Sequence, residues 1–163
     1  MLYINQNGTI HSGAQTDDSL PIPNAPSKFY KIKSNWTETY PDVWELDTDT
    51  HTEKLREEID KKTQALISKG FKFKKTMFSL SQNAQINWMA LKNQYDMNLL
   101  PDEIEISRKD GKTYSLKKDE FLDFYNLAFT AVKDILDAGR ALKTKAYNTN
   151  TEKKLSDFID DRV

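Results

Sequence analysis

Cysteine is absent from the sequence, which excludes disulfide bonds, thiolate nucleophiles and cysteine-ligated zinc sites. Histidine occurs only at His11 and His51, and neither shows the HxxxH or HxxE spacing of a metal or catalytic site. The five glycines are dispersed and form no phosphate-binding loop. No apolar run comes close to the length of about 20 residues that a helix needs to cross a bilayer. We therefore predict structural histidines, no metal or cofactor, and no membrane association.

Neither sign of charge is in excess. The chain has 163 residues, of which 30% are charged and 37% hydrophobic, and the formal net charge is -1. A general nucleic-acid binder needs a concentrated positive field to neutralise phosphates. We therefore do not expect nucleic acid as the partner, although a local basic patch is compatible with this net charge.

The first 49 residues carry strand and loop signals. Two short apolar stretches flank Asn7-Gly8, a dipeptide that favours a β-hairpin because both residues tolerate positive φ. Residues 13–26 contain three prolines and predict a loop or an extended arm. Residues 28–33 alternate weakly and predict a strand. Trp36 and Trp44 follow in a mixed segment, where we expect short strands or turns and tryptophans that anchor the arm.

A first helix is predicted after this segment. Thr50 and Glu53 have the spacing of a capping box, and an apolar stripe with helical periodicity follows them. Gly70 comes directly after the stripe and favours the left-handed conformation that ends a helix.

Two β-ribbons are expected around a second helix. Residues 71–78 alternate aromatic and basic side chains over a length too short for another helix. Ser79 or Ser81 then caps a helix. Further on, Asp110-Gly111 separates two alternating segments and predicts a hairpin. Its expected apolar face consists of Ile104, Ile106, Tyr114 and Leu116.

The longest predicted element is a helix from about residue 118 to about residue 147, roughly 45 Å long at 1.5 Å per residue. Gly139 lies inside it, where glycine costs about 1 kcal/mol relative to alanine. Its missing side chain allows a neighbouring helix to approach. The broad apolar stripe is typical either of a coiled-coil seam or of core packing. Residues 151–159 predict a short final amphipathic helix.

Asp47-Thr48-Asp49 resembles the start of a calcium-binding loop. Such a loop requires glycine at its sixth position and glutamate at its twelfth. The sixth position is Thr52 and the twelfth is Glu58, so the pattern fails at the glycine. Acidic residues at a helix start, where the macrodipole favours them, explain the same sequence.

Two carboxylate pairs, Glu103 with Glu105 and Asp119 with Glu120, are candidates for acid–base chemistry. Both members of the first pair are expected on the exposed face of a strand. Exposed carboxylates with ordinary pKa values are poor general acids at neutral pH. We therefore assign no catalytic residue and predict that the protein is not an enzyme.

The lysines at Lys72, Lys74 and Lys75 alternate with Phe71 and Phe73. This pattern is found where proteins grip single-stranded nucleic acid. It is also typical of an amphipathic ribbon with aromatic side chains in the core and lysines along an exposed edge. We favour the second interpretation.

Residues 55–162 resemble an uncharacterised domain family of tailed bacteriophages and prophages, encoded among tail-fibre and baseplate genes. The similar elements are the helix end Ser68-Lys69-Gly70, the ribbon Phe71-Lys72-Phe73 to Phe78, the capped helix start at residues 81–88, the hairpin end Thr113-Tyr114-Ser115-Leu116, and the helix end Ala141-Leu142-Lys143-Thr144-Lys145. The sequence departs from the family pattern at Lys117, where a capping residue is expected. The resemblance implies a virion or assembly role and carries no active site.

The combined prediction is an α+β protein with two parts. Residues 1–49 form an N-terminal β module with a proline-containing arm, and residues 50–163 form a mainly helical domain with two small β-ribbons. The expected function is structural, in a phage tail, baseplate, tail fibre or head–tail connector. The expected location is the virion, after synthesis in the host cytoplasm.

Partners are expected to be other virion proteins and further copies of the chain, in a homo-oligomer or multi-copy assembly. Exposed strand edges can extend a partner's sheet, and aromatic anchors dominate interface energies. The predicted partner-binding residues are Tyr3, Ile4, Ile22, Phe29, Tyr30, Trp36 and Trp44. The alternatives are a tail-fibre assembly chaperone, a nucleic-acid-associated module and a glycan hydrolase.

Overall fold

The computed structural model describes residues 2–5, 9–13, 19–22, 24–33 and 44–163. In chain order the elements are β1 (Leu2–Asn5), β2 (Ile10–Ser12), β3 (Ser19–Ile22), β4 (Tyr30–Ile32), β5 (Trp44–Leu46), α1 (Thr48–Lys69), β6 (Phe71–Phe73), β7 (Thr76–Phe78), α2 (Gln82–Asp96), β8 (Glu103–Ser107), β9 (Thr113–Lys117), α3 (Lys118–Tyr147) and α4 (Glu152–Ser156). The protein is α+β, as predicted. It divides into two compact units, Met1–Leu55 with Ala146–Ile159, and Arg56–Lys145 with Asp160–Val163.

The first unit contains a three-stranded antiparallel sheet in the order β2-β1-β3. Tyr3 in the central strand pairs with His11 on one side and with Pro21 on the other. The predicted N-terminal hairpin is confirmed, while its turn at residues 6–8 lies outside the described residues. The prediction of a loop or arm at residues 13–26 was wrong for β3. Proline favours extended backbone, which an edge strand accommodates because its outer side needs no N–H donor.

A second, two-stranded sheet in this unit pairs β4 with β5, with Lys31 opposite Glu45. A strand was predicted at β4, and β5 lies in the segment where short strands or turns were expected. Ile4 of β1 is 4% exposed and packs with Leu2, Ile32 and Trp44, so these four side chains form a small apolar cluster.

The second unit is built around aromatic side chains. The ring of Phe124 in α3 lies 5.3 Å from Phe71, 5.3 Å from Phe73, 5.0 Å from Phe78 and 5.3 Å from Trp88, measured between centroids. The buried core residues come from both ribbons, α2, α3 and the connections on either side of α2. They are Phe71, Phe73, Phe78, Leu80, Trp88, Leu100, Ile104, Ile106, Leu116, Phe121, Phe124 and Ala128. The predicted ribbons, the second helix and the long helix are therefore confirmed.

Two contacts fix α1 within this unit. Lys109, from the turn between β8 and β9, places its Nζ 2.7 Å from the carbonyl oxygen of Ser68 and 2.8 Å from that of Lys69. A cation at a helix C-terminus satisfies carbonyls that lack helical partners. At Gly139 in α3, an added Cβ would lie only 2.9 Å from Thr63 Oγ1 of α1, so the predicted helix approach is confirmed.

Two predicted boundaries were wrong. The first helix begins at Thr48, two residues before the predicted cap at Thr50. The final helix ends at Ser156, so Phe158 and Ile159 of the predicted stripe lie beyond it.

Candidate interaction surface

The predicted partner-binding residues lie in or beside strands of the first unit. Tyr3 and Ile4 are in β1, Ile22 is in β3, Tyr30 is in β4, Trp44 is in β5, and Phe29 directly precedes β4. Trp36 lies outside the described residues. Tyr3, Phe29 and Tyr30 are half-buried, and Ile4 is enclosed in the apolar cluster with Trp44. The side chain of Ile4 therefore stabilises the unit. Partner binding by these residues stays a prediction.

Phe29 is held in place by its neighbours. Its ring meets His51 edge to face at 5.0 Å, and the Lys28 ammonium lies 5.1 Å from its centroid. His51 Nε2 is 3.0 Å from the carbonyl oxygen of Lys28. His51 thus has the structural role predicted for it, since it links the start of α1 to the residues before β4.

Asp47 caps α1 and joins it to β4. Its Oδ1 accepts a hydrogen bond from the Thr50 N–H at 3.4 Å and lies 3.1 Å from Lys31 Nζ. Burial raises the pKa of Asp47, but the hydrogen bonds from Thr50 and Lys31 outweigh it, so the pKa is below its ordinary value. The acidic pattern read as a possible calcium loop is therefore a helix cap with an ion pair.

The outer edges of the three-stranded sheet differ because of Pro21. Proline has no N–H to donate to β1, so the Tyr3–Pro21 pair is a non-hydrogen-bonded pair. The backbone groups of Tyr3 therefore point to β2 and bond His11. It follows that the N–H and C=O groups of Ile10 and Ser12 point away from β1, along the outer edge of β2.

Of the two edges of the three-stranded sheet, the β2 edge is the one without a proline. Pro21 removes a donor from the outer side of β3, a device that protects natural sheet edges. On β2, neither outward-facing residue is proline, and Ile10 is 40% exposed. Among the described strands, β2 pairs only with β1.

The lysine–aromatic ribbon does not form a stacking surface. Phe71 is 6% exposed and Phe73 is 7% exposed, so neither ring is available to a nucleic-acid base. Lys74 Nζ lies 2.6 Å from Glu120 Oε1, so the charge of one of the three lysines is paired with a carboxylate of α3. The interpretation as an amphipathic ribbon with a basic outer edge is confirmed.

In each candidate carboxylate pair, one member has a partner outside the pair. Glu103 accepts a hydrogen bond from the Ser115 hydroxyl, and Glu120 pairs with Lys74. Within the described residues, no group of three or more His, Asp or Glu side chains could hold a metal ion. Of the helices described, none is both long and apolar enough to cross a membrane.

Residues 50–160 match the family described as Domain of unknown function (DUF4376). The chain belongs to this family. No curated protein and no solved structure shows a significant match to it. The DUF4376 region contains almost all of α1 and every later element through α4, whereas β1 to β5 precede it. The predicted membership of an uncharacterised domain family is confirmed.

One polar cluster, which joins α1 to residues 160 and 162, had no signal in the sequence. Arg162 Nη1 donates to Thr63 Oγ1 at 2.8 Å, and Nη2 donates to the carbonyl oxygen of Ile59 at 3.0 Å. The same guanidinium pairs with Asp160, whose carbonyl oxygen accepts from Lys62 Nζ at 2.7 Å. The residues of α1 in this cluster lie 98 to 103 positions before their partners, so residue spacing could not reveal these contacts. We call this cluster the Arg162 clasp.

Proposed function

We propose that this chain is a non-enzymatic structural protein of a tailed bacteriophage, in the tail, baseplate, tail fibre or head–tail connector, that works through protein–protein contacts. Two observations support the proposal. Residues 55–162 resemble a domain family encoded among phage tail-fibre and baseplate genes. In addition, the sheet that precedes the DUF4376 region has an edge suited to joining a partner's sheet.

The β2 edge carries the mechanistic part of this proposal. Ile10 and Ser12 direct their backbone donors and acceptors outward, and the exposed Ile10 side chain adds apolar contact beside them. Main-chain hydrogen bonds supply affinity in strand addition, and neighbouring side chains supply specificity. Neighbouring virion subunits that offer an extended segment are the expected partners.

The test is a Ser12→Pro substitution in a phage that encodes the chain, compared with Ser12→Ala. Proline removes the outward N–H of residue 12 and leaves the His11–Tyr3 bonds of β1 and β2 in place. Alanine removes only the hydroxyl. Quantitative mass spectrometry of purified particles should show a fixed copy number for the wild type and Ser12→Ala, and a large loss for Ser12→Pro.

The same measurement separates the alternatives. Absence of the wild-type chain from mature particles, together with defective tail fibres when it is deleted, would replace the proposal with an assembly chaperone. Equal incorporation of both Ser12 variants would show that the β2 edge is not the site of attachment.

A further inference from the structure

An exposed apolar side chain lies among lysines on the outer face of the first ribbon. Met77 of β7 is 41% exposed, and Lys72 of β6 is its cross-strand partner. Side chains alternate between the two faces of a strand, so Lys72 and Met77 share the face opposite the buried Phe71 and Phe73. On the other side of β7, the Lys109 N–H donates to the Met77 carbonyl oxygen at 3.0 Å. Met77 is therefore flanked by a lysine on each side.

Further lysines lie beside these residues. Lys109 Nζ is 2.8 Å from the carbonyl oxygen of Lys69, so it lies next to the end of α1. Lys75 is in the turn between β6 and β7. The Arg108 N–H donates to the Lys112 carbonyl oxygen at 2.7 Å, so Lys112 closes the turn that contains Lys109. All of these lysines are exposed. We call the set the basic patch, which consists of Met77, Lys69, Lys72, Lys75, Lys109 and Lys112.

The positive charge of the basic patch is not balanced by neighbouring carboxylates. Residues 61–75 contain six lysines and no acidic residue. Within the described residues, no carboxylate forms an ion pair with a lysine of the patch. Asp110, in the same turn as Lys109, is paired with Arg108 at 2.7 Å. The next acidic residue, Glu105 of β8, lies opposite Ser115, before the turn begins.

The composition of the basic patch indicates the chemistry of its partner. Its cations require a negatively charged partner, since complementary charges steer association and exclude wrong partners. Met77 adds a flexible apolar side chain at the centre, which a phosphate backbone would leave in contact with water. The aromatic rings of the ribbon are buried and offer no surface on which bases could stack. Protein interfaces combine an apolar centre with a polar rim, and an acidic peptide segment supplies both kinds of contact.

We propose that the basic patch binds a short acidic segment of another protein. An apolar side chain of that segment packs on Met77, and its carboxylates pair with the surrounding lysines. Lysines that only protect a strand edge would lie within the ribbon. Those of the basic patch also come from the end of α1 and from the turn between β8 and β9. The patch lies inside the DUF4376 region, whereas the β2 edge precedes it, so the proposal holds independently of strand addition and of a virion role.

The first test measures fluorescence anisotropy of a labelled heptapeptide, in which glutamates flank a central leucine, against the full chain. The same peptide with glutamine in place of glutamate is the control and should not bind. Lys72→Gln/Lys112→Gln should raise the dissociation constant about tenfold, because two cations of the patch are lost. Lys61→Gln/Lys117→Gln removes two exposed lysine charges outside the patch and should leave the constant nearly unchanged. All four lysines are exposed, so the circular dichroism of both double variants should match that of the wild type.

The second test examines the apolar centre of the patch. Met77→Gln should weaken binding of the leucine peptide at least about threefold, because the leucine loses its apolar contact. A peptide with serine in place of the leucine should bind the wild type and Met77→Gln equally. This double-mutant cycle separates the contact with Met77 from the contribution of the lysines.

Four results would overturn the proposal. The wild type would fail to bind the glutamate peptide, or both double variants would have the same dissociation constant. A preference for a short DNA duplex over the peptide, unchanged in Met77→Gln, would assign the patch to a phosphate backbone. A wild-type dimer in sedimentation velocity that dissociates in Lys72→Gln/Lys112→Gln would assign the patch to a second copy of the chain.

Discussion

Gly70 illustrates how one residue decides where α1 stops and the first ribbon starts. Its φ is +80°, and an added Cβ would lie 2.0 Å from the carbonyl oxygen of Phe78. The left-handed conformation was predictable from the position of glycine after an apolar helical stripe. The close approach was not, because it depends on where β7 lies across the ribbon. Gly111 has the same φ of +80°, but no atom lies within 4 Å of its Cβ position.

We expect Gly70→Ala to destabilise the protein far more than Gly111→Ala. Both substitutions place alanine in the left-handed region, which costs about 1–2 kcal/mol. At Gly70 the new methyl group also overlaps a backbone oxygen that cannot move without distorting β7, so the total loss should be at least about 3 kcal/mol. Urea unfolding of the two variants measures the difference. Equal losses of unfolding free energy would mean that β7 moves away from the new methyl group at little cost.

At the scale of elements, helix caps show what sequence patterns can and cannot select. Ahead of α2, Ser79 and Ser81 were equivalent candidates. In the structure Ser81 is the cap, because its hydroxyl accepts from the Ala84 N–H at 3.3 Å. Ahead of α1, several residues in succession are good caps, and the predicted one was wrong. Asp47 is favoured there because Lys31 of β4 pairs with it, a contact between distant positions.

The assignment of the α2 cap predicts a difference between two serines. Ser81→Ala should lower the free energy of unfolding by about 1 kcal/mol, because the Ala84 N–H loses its partner. Ser79→Ala removes only a hydrogen bond to the Ser81 N–H, which precedes the helix, and should cost less. Thermal unfolding followed by circular dichroism checks the order. The reverse order would assign the cap to Ser79.

For the whole molecule, the long periodic elements could be predicted and the contacts between distant positions could not. The aromatic core around Phe124 follows from apolar periodicity, since α3 and both ribbons must bury their stripes together. By contrast, β3 was missed because its segment contains prolines, which indicate a loop although an edge strand also tolerates them.

The Arg162 clasp is the clearest case of a long-range contact without a sequence signal. It joins the last residues of the chain to α1 at Ile59 and Thr63, next to the gap that Gly139 leaves in α3. The Arg162 side chain is 10% exposed and that of Asp160 is 15% exposed. A guanidinium that is this enclosed depends on its partners, because water cannot replace them.

We therefore expect Arg162→Ala to lower the free energy of unfolding by about 2 kcal/mol at neutral pH, the scale of hydrogen bonds to a charged group. The pKa of Asp160 is lowered chiefly by its hydrogen bond from Arg162, against the effect of burial. A lowered carboxyl pKa stabilises the fold above the unfolded value of about 3.9 and loses that contribution as the pH falls through the folded value. The stability difference between wild type and Arg162→Ala should therefore shrink as the pH falls below about 4.

Arg140→Ala is the matched control for this prediction. The Arg140 side chain is 75% exposed and pairs with Asp137 at the surface, where ion pairs contribute little. Urea unfolding at neutral and acidic pH measures the free energy of unfolding of each variant. If the difference between wild type and Arg162→Ala is the same in acid as at neutral pH, the Arg162 clasp acts through packing and not through the Asp160 charge.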